Sequence, residues 1–189
     1  MDLSVLNKEQ RQAVECLEGP LLVLAGAGSG KTRVLTYRIA NLIEQGVKPW
    51  NILALTFTNK AAGEMRERTE ALVGGDPHDL WVSTFHSCCV RILRVDIDKL
   101  GRERNFVIYD ADDQLSLIGG ILKRLEISDK DIPKRELQAH FSDAKNKSLD
   151  PEQYLKDNPY LDEAVSRVFR AYQKALREAN ALDFDDLLL

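Results

Sequence analysis

The stretch Leu21-Leu22-Val23-Leu24-Ala25-Gly26-Ala27-Gly28-Ser29-Gly30-Lys31-Thr32 constrains this chain more than any other. Leu21 to Leu24 is a continuous apolar run, the pattern of a central parallel strand buried on both faces. Gly26, Gly28 and Gly30 permit backbone angles that other residues resist and leave no Cβ to block a close ligand. A helix opening at Lys31 adds its positive dipole end and its free amides. Strand, glycine loop and helix start together read as a phosphate cradle. The backbone N–H groups surround phosphate oxygens, Lys31 reaches the β and γ phosphates, and the Thr32 hydroxyl ligates Mg²⁺. The strict pattern G-x-x-x-x-G-K-[ST] has glycine where this chain has Ala25. The competing reading, a structural glycine turn before a helix, leaves the Lys31-Thr32 pair unexplained.

The neighbouring sequence repeats the strand–helix alternation. Asn7 is a good N-cap with Gln10 at the capping-box position, so the stretch Leu6 to Val14 opens a helix, and Leu6, Ala13, Val14 and Leu17 can bury one face. Gly19-Pro20 ends it. After the loop, Val34, Leu35, Ile39, Leu42 and Ile43 follow one helical face as far as Gly46 and Pro49. Ile52 to Leu55 reads as a second strand, about Ala61 to Leu72 as a helix ended by Gly74-Gly75, and Leu80 to Ser83 as a third strand. This order implies a parallel sheet with right-handed crossovers, whose ligands gather at the carboxyl ends of its strands. The phosphate loop, Thr56 to Lys60 and Thr84 to His86 all fall on that edge. The last two loops each offer a hydroxyl, an aromatic ring and a polar or cationic group. Phe57 and Phe85 read either as core aromatics at strand ends or as rings that stack on unpaired bases. Gln10 reads either as a capping side chain or as a ligand contact.

Bulk properties narrow the setting. The chain has 189 residues and a net charge of −4, so composition gives no global basic signal, and any nucleic-acid contact must use a local surface. Cys16, Cys88 and Cys89 are odd in number, two of them adjacent, which argues against a disulfide framework. No metal-ligand spacing, signal peptide or membrane-length apolar run is present, and a reducing cytoplasm is the expected location.

Five motifs occur in order: L-N-x-x-Q at Leu6 to Gln10, L-A-G-A-G-S-G-K-T at Leu24 to Thr32, T-F-T-N-K-A-A at Thr56 to Ala62, S-T-F-H-S at Ser83 to Ser87, and L-D-F-D-D-L at Leu182 to Leu187. Together they resemble the amino-terminal part of a superfamily 1 DNA helicase of the UvrD/PcrA/Rep group, over essentially the whole chain. Ala25 matches that family's own form of the loop. The resemblance implies an α/β fold: a RecA-like P-loop parallel sheet carrying an all-helical inserted subdomain. It also implies ATP and Mg²⁺ as cofactors. By the same resemblance, Gln10 is expected to read adenine, residues 25 to 32 (Ala25, Gly26, Ala27, Gly28, Ser29, Gly30, Lys31, Thr32) and Arg33 to hold the nucleotide, and Lys31 and Thr32 to act in catalysis. The resemblance further implies that Phe57, Thr58, Asn59, Lys60, Thr84, Phe85 and His86 face single-stranded DNA. The implied activity is ATP-dependent 3′ to 5′ translocation on single strands and unwinding at junctions with duplex. Asp183, Asp185 and Asp186 match a family motif without an assigned chemistry. Gly63 stands where relatives carry a larger residue.

From Cys88 to about Asn180 helical periodicity dominates, punctuated by Pro133, Pro151 and Pro159. The expected organisation is a motor-domain part over 1–87, a helical subdomain over 88–180, and the start of a return to the motor domain over 181–189. Lys145 and Lys147 read as a solvated helix face, with duplex DNA contact as the alternative. An acidic strand end for Mg²⁺ and a second motor domain are not identifiable, so the chain reads as an amino-terminal fragment. The alternatives are a compact, complete ATPase that uses Asp110 at the end of Phe106 to Tyr109, and a DNA-binding module without catalysis. Asp110 also reads as the N-cap of the helix that follows it.

Overall fold

In the computed structural model, residues 1–75 and 79–189 are described. The chain divides into two compact units, Met1–Cys88 and Cys89–Leu189.

The first unit is built from helices α1 (Lys8–Glu15), α2 (Lys31–Glu44) and α3 (Asn59–Val73) and strands β1 (Leu53–Thr56) and β2 (Trp81–Thr84). β1 and β2 pair in parallel, from Leu53 opposite Trp81 to Thr56 opposite Thr84. Two strands running the same way need a crossover, and α3 supplies it. The Thr58 side chain caps its start by accepting from the Ala61 amide, and Gly74 ends it at φ 77°. Arg66 on α3 donates to the Val82 carbonyl at 2.9 Å. Ile39, Ile52, Ala62, Met65, Leu80 and Val82 make the core beneath, while Leu6, Ala13, Val14 and Val34 join α1 to α2. The buried Asn41 side chain donates to the Val14 carbonyl, so no polar cost is left in that joint.

One expected strand does not form. Residues 21–24 make no ladder with β1, β2 or any other described strand, and Leu22 and Leu24 are 81% and 87% exposed. An apolar run is suited to a buried strand, but a strand exists only where a neighbour accepts and donates its backbone hydrogen bonds. The described sheet of this unit has two strands, not three.

Gly63 lies inside α3, and a Cβ built there meets nothing within 4 Å. Glycine in a helix interior costs about 1 kcal/mol relative to alanine. Gly63→Ala is therefore expected to raise unfolding stability by about 1 kcal/mol, measured by urea denaturation of the chain.

The second unit is mainly helical: α5 (Ala111–Arg124), α6 (Lys134–Asn146), α7 (Pro151–Asp157) and α8 (Glu163–Glu178), with short strands β3 (Val107–Tyr109) and β4 (Ala181–Asp183) paired in parallel. Val165, Val168, Phe169, Tyr172 and Leu176 bury one face of α8 against Ile118, Ile121, Leu137 and Phe141, and the Phe141 and Phe169 rings stack at 4.6 Å. Helix α4 (Phe85–Asp96) carries the chain across the boundary at Cys88.

Two expectations meet the structure in this unit. Asp110 is the N-cap of α5: its carboxylate accepts from the amides of Asp112 and Asp113, and the Asp113 side chain accepts from the Asp110 amide. The strand before it pairs with β4, outside the sheet of β1 and β2. Lys145 corrects the solvated-face reading. Its ammonium lies 2.6 Å from Asp183 Oδ2 and 2.8 Å from Asp186 Oδ1, with only 2% of the side chain exposed. The Tyr172 hydroxyl donates to the same Asp183 oxygen at 2.8 Å. Lys147 does lie on an exposed face, paired with Asp143.

Candidate functional site

The loop after residue 24 is held by its own groups. Gly28 and Gly30 take φ 75° and 87°, the left-handed region that glycine enters without strain. Gly26 does not use that freedom. Its carbonyl instead accepts from the Ser29 hydroxyl at 2.7 Å and from the Lys31 ammonium at 2.7 Å. Lys31 also donates to the Ala25 carbonyl at 3.0 Å. The lysine thus folds back over the loop, its charge placed where the carbonyl dipoles converge. Gly30 is the N-cap of α2 and has no side chain to offer, so no side-chain oxygen caps the first turn, Lys31 to Arg33. Such an end is suited to an anion from outside the helix.

A cavity of about 390 Å³ opens over this helix start, lined by Gln10, residues 28–33 and Arg68. Gln10 reaches it from α1. Its Oε1 accepts from the Asn7 amide at 3.1 Å, closing a capping box, and its Nε2 donates to the Ser29 carbonyl at 2.9 Å. Thr32 stands on the first helical turn, half-buried, on the same wall. Among the described residues no group of three His, Cys, Asp or Glu side chains could hold a metal. Among the described residues lining this cavity, the Thr32 hydroxyl is an oxygen that could hold a Mg²⁺ ion brought in on phosphate oxygens and water.

Arg68 is the residue that the sequence reading missed. It comes from α3 and lines the cavity together with Arg33. Its ion pair with Glu64 is long, 3.4 Å, and both side chains are about half exposed, so little holds it away from a ligand. Its spacing on α3 carries no motif. Only the packing of α3 beside α2 brings it to the loop.

The second set of residues gathers at the carboxyl ends of β1 and β2. Because Thr56 lies opposite Thr84, the next residues, Phe57 and Phe85, leave the sheet side by side. Their ring centroids are 5.6 Å apart with planes tilted by 41°. Phe57 is 92% exposed and Phe85 42%, so neither is a core aromatic. Thr58 is spent on capping α3, and the Thr84 hydroxyl donates to the Ser87 hydroxyl at 2.9 Å. Asn59 and Lys60 stand exposed on the first turn of α3, and His86 lies half-buried on the first turn of α4.

Residues 6–189 match the UvrD/REP helicase N-terminal domain. The chain belongs to that family. It is 54% identical to the ATP-dependent DNA helicase PcrA of Bacillus subtilis (strain 168) over 189 residues, which cover 99% of this chain and 26% of the relative. It is 52% identical over 186 residues to PcrA of Staphylococcus epidermidis (strain ATCC 12228 / FDA PCI 1200), covering 97% and 26%. With PcrA of Staphylococcus aureus (strain NCTC 8325 / PS 47) it shares 50% over 189 residues, covering 99% and 26%. The chain therefore spans about a quarter of the length of these UvrD/REP relatives. Its fold is mixed α/β, with small parallel sheets and many helices. Among its described residues no helix is long and apolar enough to cross a membrane.

Proposed function

We propose that this chain is the amino-terminal part of an ATP-dependent DNA helicase that moves 3′ to 5′ along single strands and separates duplex at junctions. The first unit serves as the start of a RecA-like P-loop motor domain. The second serves as an inserted helical subdomain, with residues 181–189 beginning the return to the motor. The cytoplasm is its place of work.

The observation that carries this reading lies within the first unit. One compact body presents both an uncapped helix start behind a glycine loop and a pair of exposed rings at the end of a parallel sheet. In the proposed working state, the ammonium of Lys31 leaves the carbonyls of Ala25 and Gly26 for the β and γ phosphates. The amides of residues 28–33 surround the phosphate oxygens. Gln10 reads the adenine edge, and Arg33 and Arg68 flank the nucleotide. The Thr32 hydroxyl would hold a Mg²⁺ ion bound with ATP, which would supply neutralisation of phosphate charge there. Phe57 and Phe85 stack on bases, while Thr58, Asn59, Lys60, Thr84 and His86 line the path of the strand.

The competing compact ATPase needs the Asp110 carboxylate for a metal, but that carboxylate is engaged with two backbone amides.

Stacking on an aromatic ring is worth about 1–3 kcal/mol per base. Phe57→Ala and Phe85→Ala, each in the intact protein, are expected to weaken single-stranded DNA binding by that amount, read by fluorescence anisotropy with an oligothymidine. Unchanged affinity in both folded variants would remove the rings from the DNA path.

A further inference from the structure

A carboxamide can read a base only if it is known which end is oxygen and which is nitrogen. The two ends have nearly the same shape, and a free side chain flips between them. Gln10 is not free. At one end Oε1 accepts from the Asn7 backbone amide at 3.1 Å, and at the other Nε2 donates to the Ser29 carbonyl at 2.9 Å. Turning the amide over would set its oxygen against a carbonyl and its NH₂ against an N–H, breaking both bonds. The fit is close: a Cβ on residue 30 would stand 2.8 Å from Nε2, so Gly30 is what lets the amide lie against the loop. An oxygen has two lone pairs and a carboxamide nitrogen two hydrogens. The two protein bonds therefore leave one acceptor site on Oε1 and one hydrogen on Nε2, on a side chain that lines the cavity of about 390 Å³.

We propose that the Asn7 amide and the Ser29 carbonyl lock the flip of the Gln10 carboxamide, and that this lock sets the preference of the site for adenine over guanine nucleotides. The inference rests on the reading of Gln10 as the base contact. Adenine offers a donor at N6 and an acceptor at N7, which match the remaining acceptor and donor of the locked amide. Guanine offers acceptors at both O6 and N7, so its O6 meets the fixed Oε1. An amide released from its lock turns its NH₂ toward O6, and the distinction fades. The arrangement also joins the base to the phosphates, because one of the two locking groups, Ser29, belongs to the loop itself.

Position 7 separates the lock from ordinary helix capping. Asn7 contributes two things: its side chain accepts from the Gln10 amide at 2.8 Å, and its own N–H holds Oε1. Asn7→Ala removes the first and keeps the second. Asn7→Pro removes both, and its ring suits the observed φ of −70°. Binding of ATP, GTP and inorganic triphosphate to the 189-residue chain, each with Mg²⁺, is measured by calorimetry. The unaltered chain and Asn7→Ala are expected to favour ATP over GTP by roughly 5- to 150-fold, the scale of one good bidentate pair. In Asn7→Pro the preference is expected to fall toward unity, with inorganic triphosphate bound as in Asn7→Ala. Equal preferences in the two Asn7 variants would overturn the lock. Gln10→Ala with an undiminished preference would instead overturn the reading of Gln10 as the base contact. A readout on the unaltered, nucleotide-free chain needs no variant. The two Nε2 hydrogens of Gln10 are expected to exchange with solvent at clearly different rates by NMR, and equal rates at the speed of a free carboxamide would contradict the lock.

Discussion

Lys31→Ala is expected to lower ATP turnover in the intact protein by at least about 100-fold, the scale on which one preorganised charge-stabilising group is worth in a transition state. The size follows from where the ammonium sits. It bridges the carbonyls of Ala25 and Gly26, six and five residues back, so the loop is already bent around it. A triphosphate replaces two neutral acceptors with charged ones, and charge-assisted bonds are roughly twice as strong. Negative charge gathers on the leaving phosphate during transfer, so the lysine contributes most at the transition state. The fold has little at stake, because the loop residues lie largely on the surface. Steady-state turnover with saturating oligothymidine, alongside a thermal melt of the variant, checks both halves. Full turnover would remove Lys31 from the phosphate site.

The second large effect concerns stability. Asp183→Asn is expected to lower the unfolding free energy of the chain by about 3 kcal/mol, the lower end of the cost of breaking a buried ion pair, because Asp186 still faces the Lys145 ammonium. Asp183 is 1% exposed and joins three parts of the second unit: Lys145 of α6, Tyr172 of α8, and the Asp186 amide, which donates to its other oxygen at 2.9 Å. Lys147→Met, which breaks the exposed pair with Asp143, is expected to change stability by no more than about 1 kcal/mol. Urea unfolding of both variants makes the comparison, and similar small losses would contradict the cluster's structural role. The cluster also has a pH signature. Burial pushes the Asp186 carboxyl up from its ordinary 3.8, with the Lys145 ammonium opposing it. Between the ordinary and the raised value the folded chain binds more protons than the unfolded chain. The contribution of Asp186 is therefore present in full below 3.8 and is lost as pH rises through the raised value. Asp186→Asn is expected to flatten that part of the stability–pH curve.

What could be read in the sequence was what short spacing encodes. Gly28, Gly30, Lys31 and Thr32 lie within five positions, and their local geometry follows from residue type. The same holds for the capping boxes at Asn7 and Asp110, where donor and acceptor are three residues apart. The strand at residues 21–24 was legible only as composition. Whether it pairs depends on a neighbour that its own residues do not name. Lys145 was misread for a related reason: helical period says which face a residue occupies but not what covers it, and its partner Asp183 lies 38 residues on. Arg68 gave no signal, because only the packing of α3 against α2 puts it at the cavity. The two phenylalanines were ambiguous as residue types. Their exposure, set by the register of β1 against β2, is what separates a stacking ring from a core one.

The central claim is that the first unit couples a nucleotide site to a single-stranded DNA path. The dependence of ATP turnover on single-stranded DNA in the intact protein tests it most directly, comparing the unaltered sequence with a variant carrying both Phe57→Ala and Phe85→Ala. The account expects oligothymidine to raise turnover many-fold in the unaltered protein. In the double variant that rise should be largely lost, while DNA-free turnover stays the same. Turnover that ignores DNA in the unaltered protein, or is stimulated equally in the double variant, would contradict it.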